Sequence, residues 1–328
     1  MSSPAGFVAQ VEERIAEALR PTPSEVGGPS VLAEASHRLC GAGGAKRVRP
    51  QLSLLLGRIF DLPLAPLVRV AAGAEMVHAA SLLHDDVIDL GTERRGRPTA
   101  NIQWGNSVAV LAGDWLLTRA ILEVAPLGLG IVREAIETVA IMTGAAVREV
   151  EARGRTDLTT RDWRDIAQGK AGELFAWCGR TVATLAQAPE AAEVLGQLGR
   201  RLGVAFQMAD DLRDVLDPQS GKDRFADLKN RNPSFVLVVA MDHDAALRQR
   251  IDLAWRGAGI GDGRDQTELG RSIRETGALE AADALLRDEV RESLALLATV
   301  APKRIIDEFI DLAASFAGDR ISLLKGAA

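Results

Sequence analysis

Hydrophobic positions along this chain recur at spacings of three and four residues almost from end to end, while period-two alternation of β-branched residues is scarce. The pattern is clearest in VREAIETVAIMTGAAVREVEA (132–152) and LEAADALLRDEVRESLALLATV (279–300). A largely apolar run over 68–88 predicts a further helix, and another is expected over 160–188, with Asp157 and Thr159 as candidate N-caps. The pattern breaks at 20–30, 91–101, 154–160, 216–234 and 256–266, each rich in Gly, Pro, Asp or Asn. About a dozen helices fit between these breaks. No linker is long enough to demand a second domain. The pattern reads as an all-α fold, one large helical domain over 1–328, with residues 1–6 expected to lack order.

Composition sharpens this picture. At 328 residues and 47% apolar content the chain can bury a sizeable core. Tyr is absent and aromatics are only 4%, so aliphatic side chains and alanine must fill that core. A net charge of −6 argues against a nucleic-acid partner, because no basic excess exists to neutralise phosphates. Cys40 and Cys178 form neither a metal spacing nor a disulfide framework, which fits a reducing compartment. Glu12 and Glu13 come early, without a charged-then-apolar leader pattern, and no apolar run is long enough for a transmembrane segment. A cytoplasmic location is expected.

The charge is concentrated in LLHDDVIDLGTERRG (82–96). On a helix, Asp85 and Asp89 share a face, Asp86 lies roughly 100° round, and His78 is seven residues back on the same stripe. The helix C-terminus already carries partial negative charge, so crowded carboxylates there repel unless a cation joins them. Carboxylates without imidazole or thiolate companions suit a hard ion such as Mg²⁺, which also prefers phosphate oxygens and water. One such cluster alone would also suit a solvated acidic helix end. A second changes the balance: in GVAFQMADDLRDVLD (203–217), Gln207, Asp210, Asp211 and Asp214 form one helical stripe amid apolar neighbours.

Cations accompany both clusters. Lys46, Arg47 and Arg49 open a helix, where backbone N–H groups favour anions. Arg94 and Arg95 follow the first cluster, Lys170 lies in IAQGKAGELF, and Lys222 follows the second. Aspartates with interspersed Lys and Arg suit diphosphates bridged through Mg²⁺ and clamped by guanidinium groups.

At this point the chain resembles the trans-isoprenyl diphosphate synthases of the polyprenyl synthetase family. The resemblance runs from about residue 40 to 240 and rests on GAKRVRP, DDVID with ERRG, the segment around Lys170, and FQMADDLRD. It implies helices around a deep central cavity and about three Mg²⁺ per active site. Asp85, Asp89 and Asp210 would be principal ligands, supported by Asp86, Asp211 and Asp214. Arg94, Lys170 and Lys222 would bind the allylic diphosphate, and Lys46, Arg49, His78 and Arg95 would bind isopentenyl diphosphate. Gln207 would direct its amide oxygen toward the cationic centre, and His84 would pack or cap beside the cluster. A homodimer formed through helices around 107–125 is a further implication.

Several positions depart from the family pattern. Ala45 replaces a glycine, Ala171 a threonine, and Glu149 sits near an expected glutamine. Asn232, Ser234 and Val236 stand where a lysine–threonine–proline run is usual. Product length would depend on the side chains before Asp85. Ala80 and Ser81 are small where short-chain members carry a bulky aromatic, with Val77, Met76 and Gly73 further back, Gly73 roughly 18 Å along the helix. Ile131 and Ile136 on a later helix are other candidates for closing the cavity. The product is expected to exceed farnesyl, with long chains favoured and geranylgeranyl next. A class I terpene cyclase on the same fold, a partner subunit of a heteromeric synthase, and a helical cation-binding protein are the competing readings.

Overall fold

The computed structural model of the protein describes residues 3–20, 30–40, 46–94, 96–216, 226–257, 263–318 and 321. Among them the chain is helical apart from one two-residue strand pair. It divides into two compact units interleaved along the sequence. The first comprises Met1–Val139, Trp177–Gly196 and Val300–Leu312, and the second Ala140–Ala176, Gln197–Thr299 and Ala313–Ala328.

The first unit begins with α1 (Pro4–Ala18), α2 (Ser30–Cys40), α3 (Val48–Gly57) and α4 (Leu64–Ile88). The expectation that residues 1–6 lack order does not hold for Pro4 to Gly6, which form the first turn of α1. The Ser3 side chain caps that turn by accepting from the Gly6 N–H at 3.1 Å. Phe7, Val11 and Ile15, one stripe of the helix, are buried and hold it down.

α4 is apolar nearly all round and buried accordingly, packed among α1, α3 and α6 (Asn106–Val124). Gly73 marks its close approach to α6: a Cβ there would stand 2.7 Å from Val124 Cγ1. After α4 the chain turns through Leu90, in the left-handed region at φ 54°, into the antiparallel pair β1 (Glu93–Arg94) and β2 (Arg97–Pro98). The break expected at 91–101 therefore contains a short hairpin. Then come α5 (Ala100–Trp104), α6 and α7 (Leu129–Ala152).

The helix expected over 160–188 is interrupted. It comprises α8 (Thr160–Ala167), a π-helical turn (Gln168–Gly172) and α9 (Glu173–Leu185). Thr159 is the N-cap, in a capping box with Asp162. The interruption reflects tertiary packing that hydrophobic period cannot express. A Cβ at Gly169 would lie 2.7 Å from Ala145 Cβ on α7, and one at Gly172 would lie 2.8 Å from the Arg200 carbonyl oxygen on α10 (Pro189–Leu216). The widened turn thus fits between two helices that only glycine lets approach.

The second unit adds α11 (Ala226–Lys229), α12 (Phe235–His243), α13 (Ala245–Arg256), α14 (Gly263–Glu275) and α15 (Ala278–Ala298). α16 (Lys303–Ala317) follows, and the described helices outnumber the dozen expected because several are short. No described helix is long and apolar enough to cross a membrane.

Candidate active site

The first acidic cluster ends α4. Asp89 is the C-cap, its N–H bonded to the Asp85 carbonyl at 2.8 Å. Asp85 is half-buried and Asp89 exposed, so both carboxylates lie toward the surface of the unit. Asp86 differs: it is buried, and Arg94 reaches back from β1 to grip it, with Nη2 and Nε donating to Oδ1 at 2.8 and 3.1 Å. The hairpin makes this return possible through Gly96, at φ 73°, between the strands. The loop is tied down further, since the Gly91 N–H donates to the Asp86 carbonyl at 2.9 Å. The Gly91 carbonyl in turn accepts from Thr99 Oγ1 and Asn101 Nδ2. His84, expected to pack or cap beside the cluster, packs instead against α6, with Nε2 3.2 Å from the Val110 carbonyl and 3.4 Å from Asp114. Gly113 leaves room for its ring, because a Cβ there would collide with Nε2 at 2.2 Å.

His78 is half-buried one turn before Ser81, whose hydroxyl donates to the His78 carbonyl at 2.8 Å. Met76, Val77 and Ala80 are buried in the same unit. At the start of α3, Lys46 is exposed, but Arg49 is buried and stands 3.8 Å from Glu75. Burial lowers the Arg49 guanidinium from its ordinary pKa, partly offset by Glu75. Arg47 occupies the left-handed region at φ 47° and donates to Glu75 at 2.7 Å and to the Cys40 carbonyl. Burial opposes its charge, yet Glu75 holds its pKa above the ordinary value.

The second cluster lies on α10 within the second unit. Gln207 Nε2 donates to Asp211 Oδ1 at 2.8 Å, and the Phe235 N–H donates to Oδ2 at 2.8 Å. Gln207 is thus engaged with Asp211 in this arrangement. Burial raises the Asp211 carboxyl well above the usual carboxylate range, and the negative Asp227 adds to the effect. Asp210 accepts from Arg213 Nη1 at 2.8 Å, and Arg213 Nη2 bonds the Phe316 carbonyl at 2.8 Å. Asp214 is half-buried. Asn232 takes up Asp227, donating to Oδ1 at 3.1 Å. Trp163 of α8 packs on Phe235 with ring centroids 4.7 Å apart, holding the N–H that meets Asp211. Lys170 sits in the π-helical turn with its ammonium on the Glu149 carboxylate. A Cβ at Gly203 would stand 2.5 Å from Gly172 Cα, so this turn crosses α10 four residues before Gln207.

The family profile described as polyprenyl synthetase matches residues 29–258. The chain belongs to the polyprenyl synthetase family. A protein from Mycobacterium tuberculosis named nonaprenyl diphosphate synthase is 34% identical over 314 residues, covering 94% of this chain and 92% of that one. The crystal structure of a decaprenyl diphosphate synthase from Rhodobacter capsulatus superposes with a TM-score of 0.83 at 28% identity, covering 95% of this chain and 96% of that one. A polyprenyl synthase from Caulobacter crescentus, complexed with calcium and isoprenyl diphosphate, gives a TM-score of 0.83 at 26% identity, covering 95% and 94%. The chain is therefore a prenyltransferase with the all-α isoprenoid-synthase type of fold.

The donor set fits a hard divalent cation: the aspartates offer oxygen ligands without a thiolate, and the adjacent His84 ring is turned to Val110 and Asp114 of α6. Among the described residues no three acidic, imidazole or thiol groups converge to hold an ion by themselves. Carboxylates in small sets, completed by diphosphate oxygens and water, are the arrangement Mg²⁺ prefers.

Of the polyprenyl synthetase's sequence-predicted residues, the first unit holds Asp85, Asp86, Asp89, Arg94, Lys46, Arg49 and His78. The second holds Lys170, Gln207, Asp210, Asp211 and Asp214. Arg95, Lys222 and Ala45 lie outside the described residues. Sequence reasoning missed Glu75, Arg213 and Asp227. Glu75 had a signal, being a lone carboxylate in the apolar run VRVAAGAEMVHAA. The partners of Arg213 and Asp227 arise only from folding.

Proposed function

We propose that this prenyltransferase is an all-trans, long-chain polyprenyl diphosphate synthase that adds isopentenyl diphosphate head-to-tail to an allylic diphosphate, using Mg²⁺. The observation carrying this reading is the pairing of half-buried Asp85 and exposed Asp89 with an Arg94 anchored on Asp86. That arrangement offers both oxygen ligands and a guanidinium for one diphosphate. Asp210, Asp211 and Asp214 supply the second acidic stripe.

Bound Mg²⁺ would neutralise the diphosphate and favour its departure as an anion. Arg94, Lys170 and Lys222 bind the same leaving group. Its C–O bond breaks with the electron pair going to diphosphate, leaving an allylic cation. Gln207 turns its amide oxygen toward that charge. The double bond of isopentenyl diphosphate, held by Lys46, Arg49, His78 and Arg95, supplies the electrons for the new C–C bond. Proton loss to the released diphosphate then restores an alkene.

Long products are supported by small Ala80 and Ser81 before Asp85 and by relatives named for nonaprenyl and decaprenyl products. A homodimer through α6 is supported by its exposed Val110, Leu111 and Leu122. Buried, unbridged Cys40 and Cys178 suit the cytoplasm.

The test is incubation with Mg²⁺, radiolabelled isopentenyl diphosphate and, separately, dimethylallyl, geranyl, farnesyl or geranylgeranyl diphosphate, followed by product sizing. An EDTA-sensitive ladder extending beyond geranylgeranyl is expected. No elongation from any primer would overturn the reading and favour a cyclase or a subunit that needs a partner.

A further inference from the structure

The ammonium of Lys170 meets a carboxylate from a neighbouring helix. Lys170 Nζ bonds Glu149 of α7, and both side chains are about three-quarters buried, with relative exposures of 25% and 29%. Backbone packing fixes this meeting. Gly169, the residue before Lys170, faces a stripe of α7: a Cβ there would meet Ala145 Cβ at 2.7 Å, Arg148 Nη2 at 3.3 Å and Ile141 Cγ2 at 3.8 Å. Ile141, Ala145 and Arg148 recur at helical spacing, and Glu149 is the next position along that face. On the other side, Gly172 is pressed against α10. The π-helical turn therefore cannot drift from α7 without losing contacts on two helices.

We propose that Glu149 is a positioning and specificity-determining residue that competes with the allylic diphosphate for Lys170 and weakens the hold on that substrate. This rests on Lys170 acting as an allylic-diphosphate ligand. The carboxylate places a negative charge beside the incoming anion and occupies a donor of the ammonium. Binding of the diphosphate must exchange one charge-assisted hydrogen bond for another. Isopentenyl diphosphate, held by other residues, is not subject to this competition. A glutamine has the same shape without the charge, so Glu149→Gln removes the competition and leaves the packing intact.

The experiment measures equilibrium binding of geranyl thiolodiphosphate, an unreactive allylic analogue, in the presence of Mg²⁺. It is accompanied by separate KM values for the allylic primer and isopentenyl diphosphate. Glu149→Gln is expected to tighten analogue binding and lower the allylic KM by roughly three- to tenfold. The isopentenyl diphosphate KM should stay within about twofold. Glu149→Asp should behave as the unaltered protein, and Glu149→Gln should have no effect in a Lys170→Ala background. If Lys170→Ala weakens analogue binding while Glu149→Gln leaves it unchanged or weakens it, the Glu149 proposal is overturned and Lys170 keeps its role. If Lys170→Ala itself leaves analogue binding unchanged, the role of Lys170 falls and the proposal with it. Glu149→Ala, with a thermal melt of each variant, provides the same reading if the glutamine variant does not fold.

Discussion

Arg94 closes back over Asp86 eight residues earlier, with two guanidinium nitrogens on the one carboxylate oxygen at 2.8 and 3.1 Å. Adjacent Asp85 and Asp86 are thereby separated in environment, one half-buried and the other buried beneath the arginine. Asp86 organises the arginine that is proposed to meet the diphosphate. Arg94→Ala should lower kcat/KM for the allylic primer by about ten- to a hundredfold, the scale of a lost hydrogen bond to a charged group. Lysine should rescue poorly, because it lacks the guanidinium fork. In a double-mutant cycle, Asp86→Ala should add little once Arg94 is gone. Fully additive effects would break the link between the two residues.

The buried pair of Arg47 and Glu75, each 5% exposed, bears on stability. Removing the carboxylate leaves Arg47 and Arg49 without their central counter-charge. Glu75→Ala should destabilise the fold by about 3–5 kcal/mol in denaturant unfolding, with Glu75→Gln losing less. A loss below about 1 kcal/mol would contradict a structural role for this cluster.

Both acidic stripes were legible because aspartates at helical spacing need no knowledge of tertiary structure. Asp85 lies in the last turn of α4 with Asp89 as its C-cap, and Gln207, Asp210, Asp211 and Asp214 share one face of α10. The Thr159 cap was legible for the same reason, since its capping box is local. Their partners were not. Asp211 is met by the Phe235 N–H from 24 residues away, and Glu75 by Arg47 from 28 residues away. Such contacts are set by packing between helices. The π-helical turn was hidden because Gly169 and Gly172 matter for what approaches them, which hydrophobic period does not record.

Burial raises the pKa of Cys40 to about 12 and that of Cys178 to about 11. Both folded-state values lie above the unfolded one. Their contribution to stability is full below the unfolded pKa, near 8.5, and is lost as pH rises through the folded values. Iodoacetamide at pH 8 should therefore label neither thiol in the native protein and both after denaturation. Unfolding midpoints should decline as pH rises from roughly 8.5 to about 12. Rapid native labelling of either cysteine would contradict this burial.

Ser81 lies half-buried one turn before Asp85, its hydroxyl turned to the His78 carbonyl. Ser81→Phe places an aromatic ring where the growing chain is proposed to pass. The longest product should shorten, while the first condensation on a short primer stays within about threefold of the original rate. An unchanged product ladder would remove this face of α4 from the path of the chain.

In the proposed reaction each aspartate stripe binds divalent metal together with a diphosphate. Electron paramagnetic resonance of Mn²⁺, titrated with geranyl thiolodiphosphate and protein, tests it without turnover. Loss of the free Mn²⁺ signal is predicted only when protein and diphosphate are both present, and Asp85→Ala or Asp210→Ala should weaken that uptake at least tenfold. Equal Mn²⁺ uptake by the unaltered protein and by both variants would contradict the account.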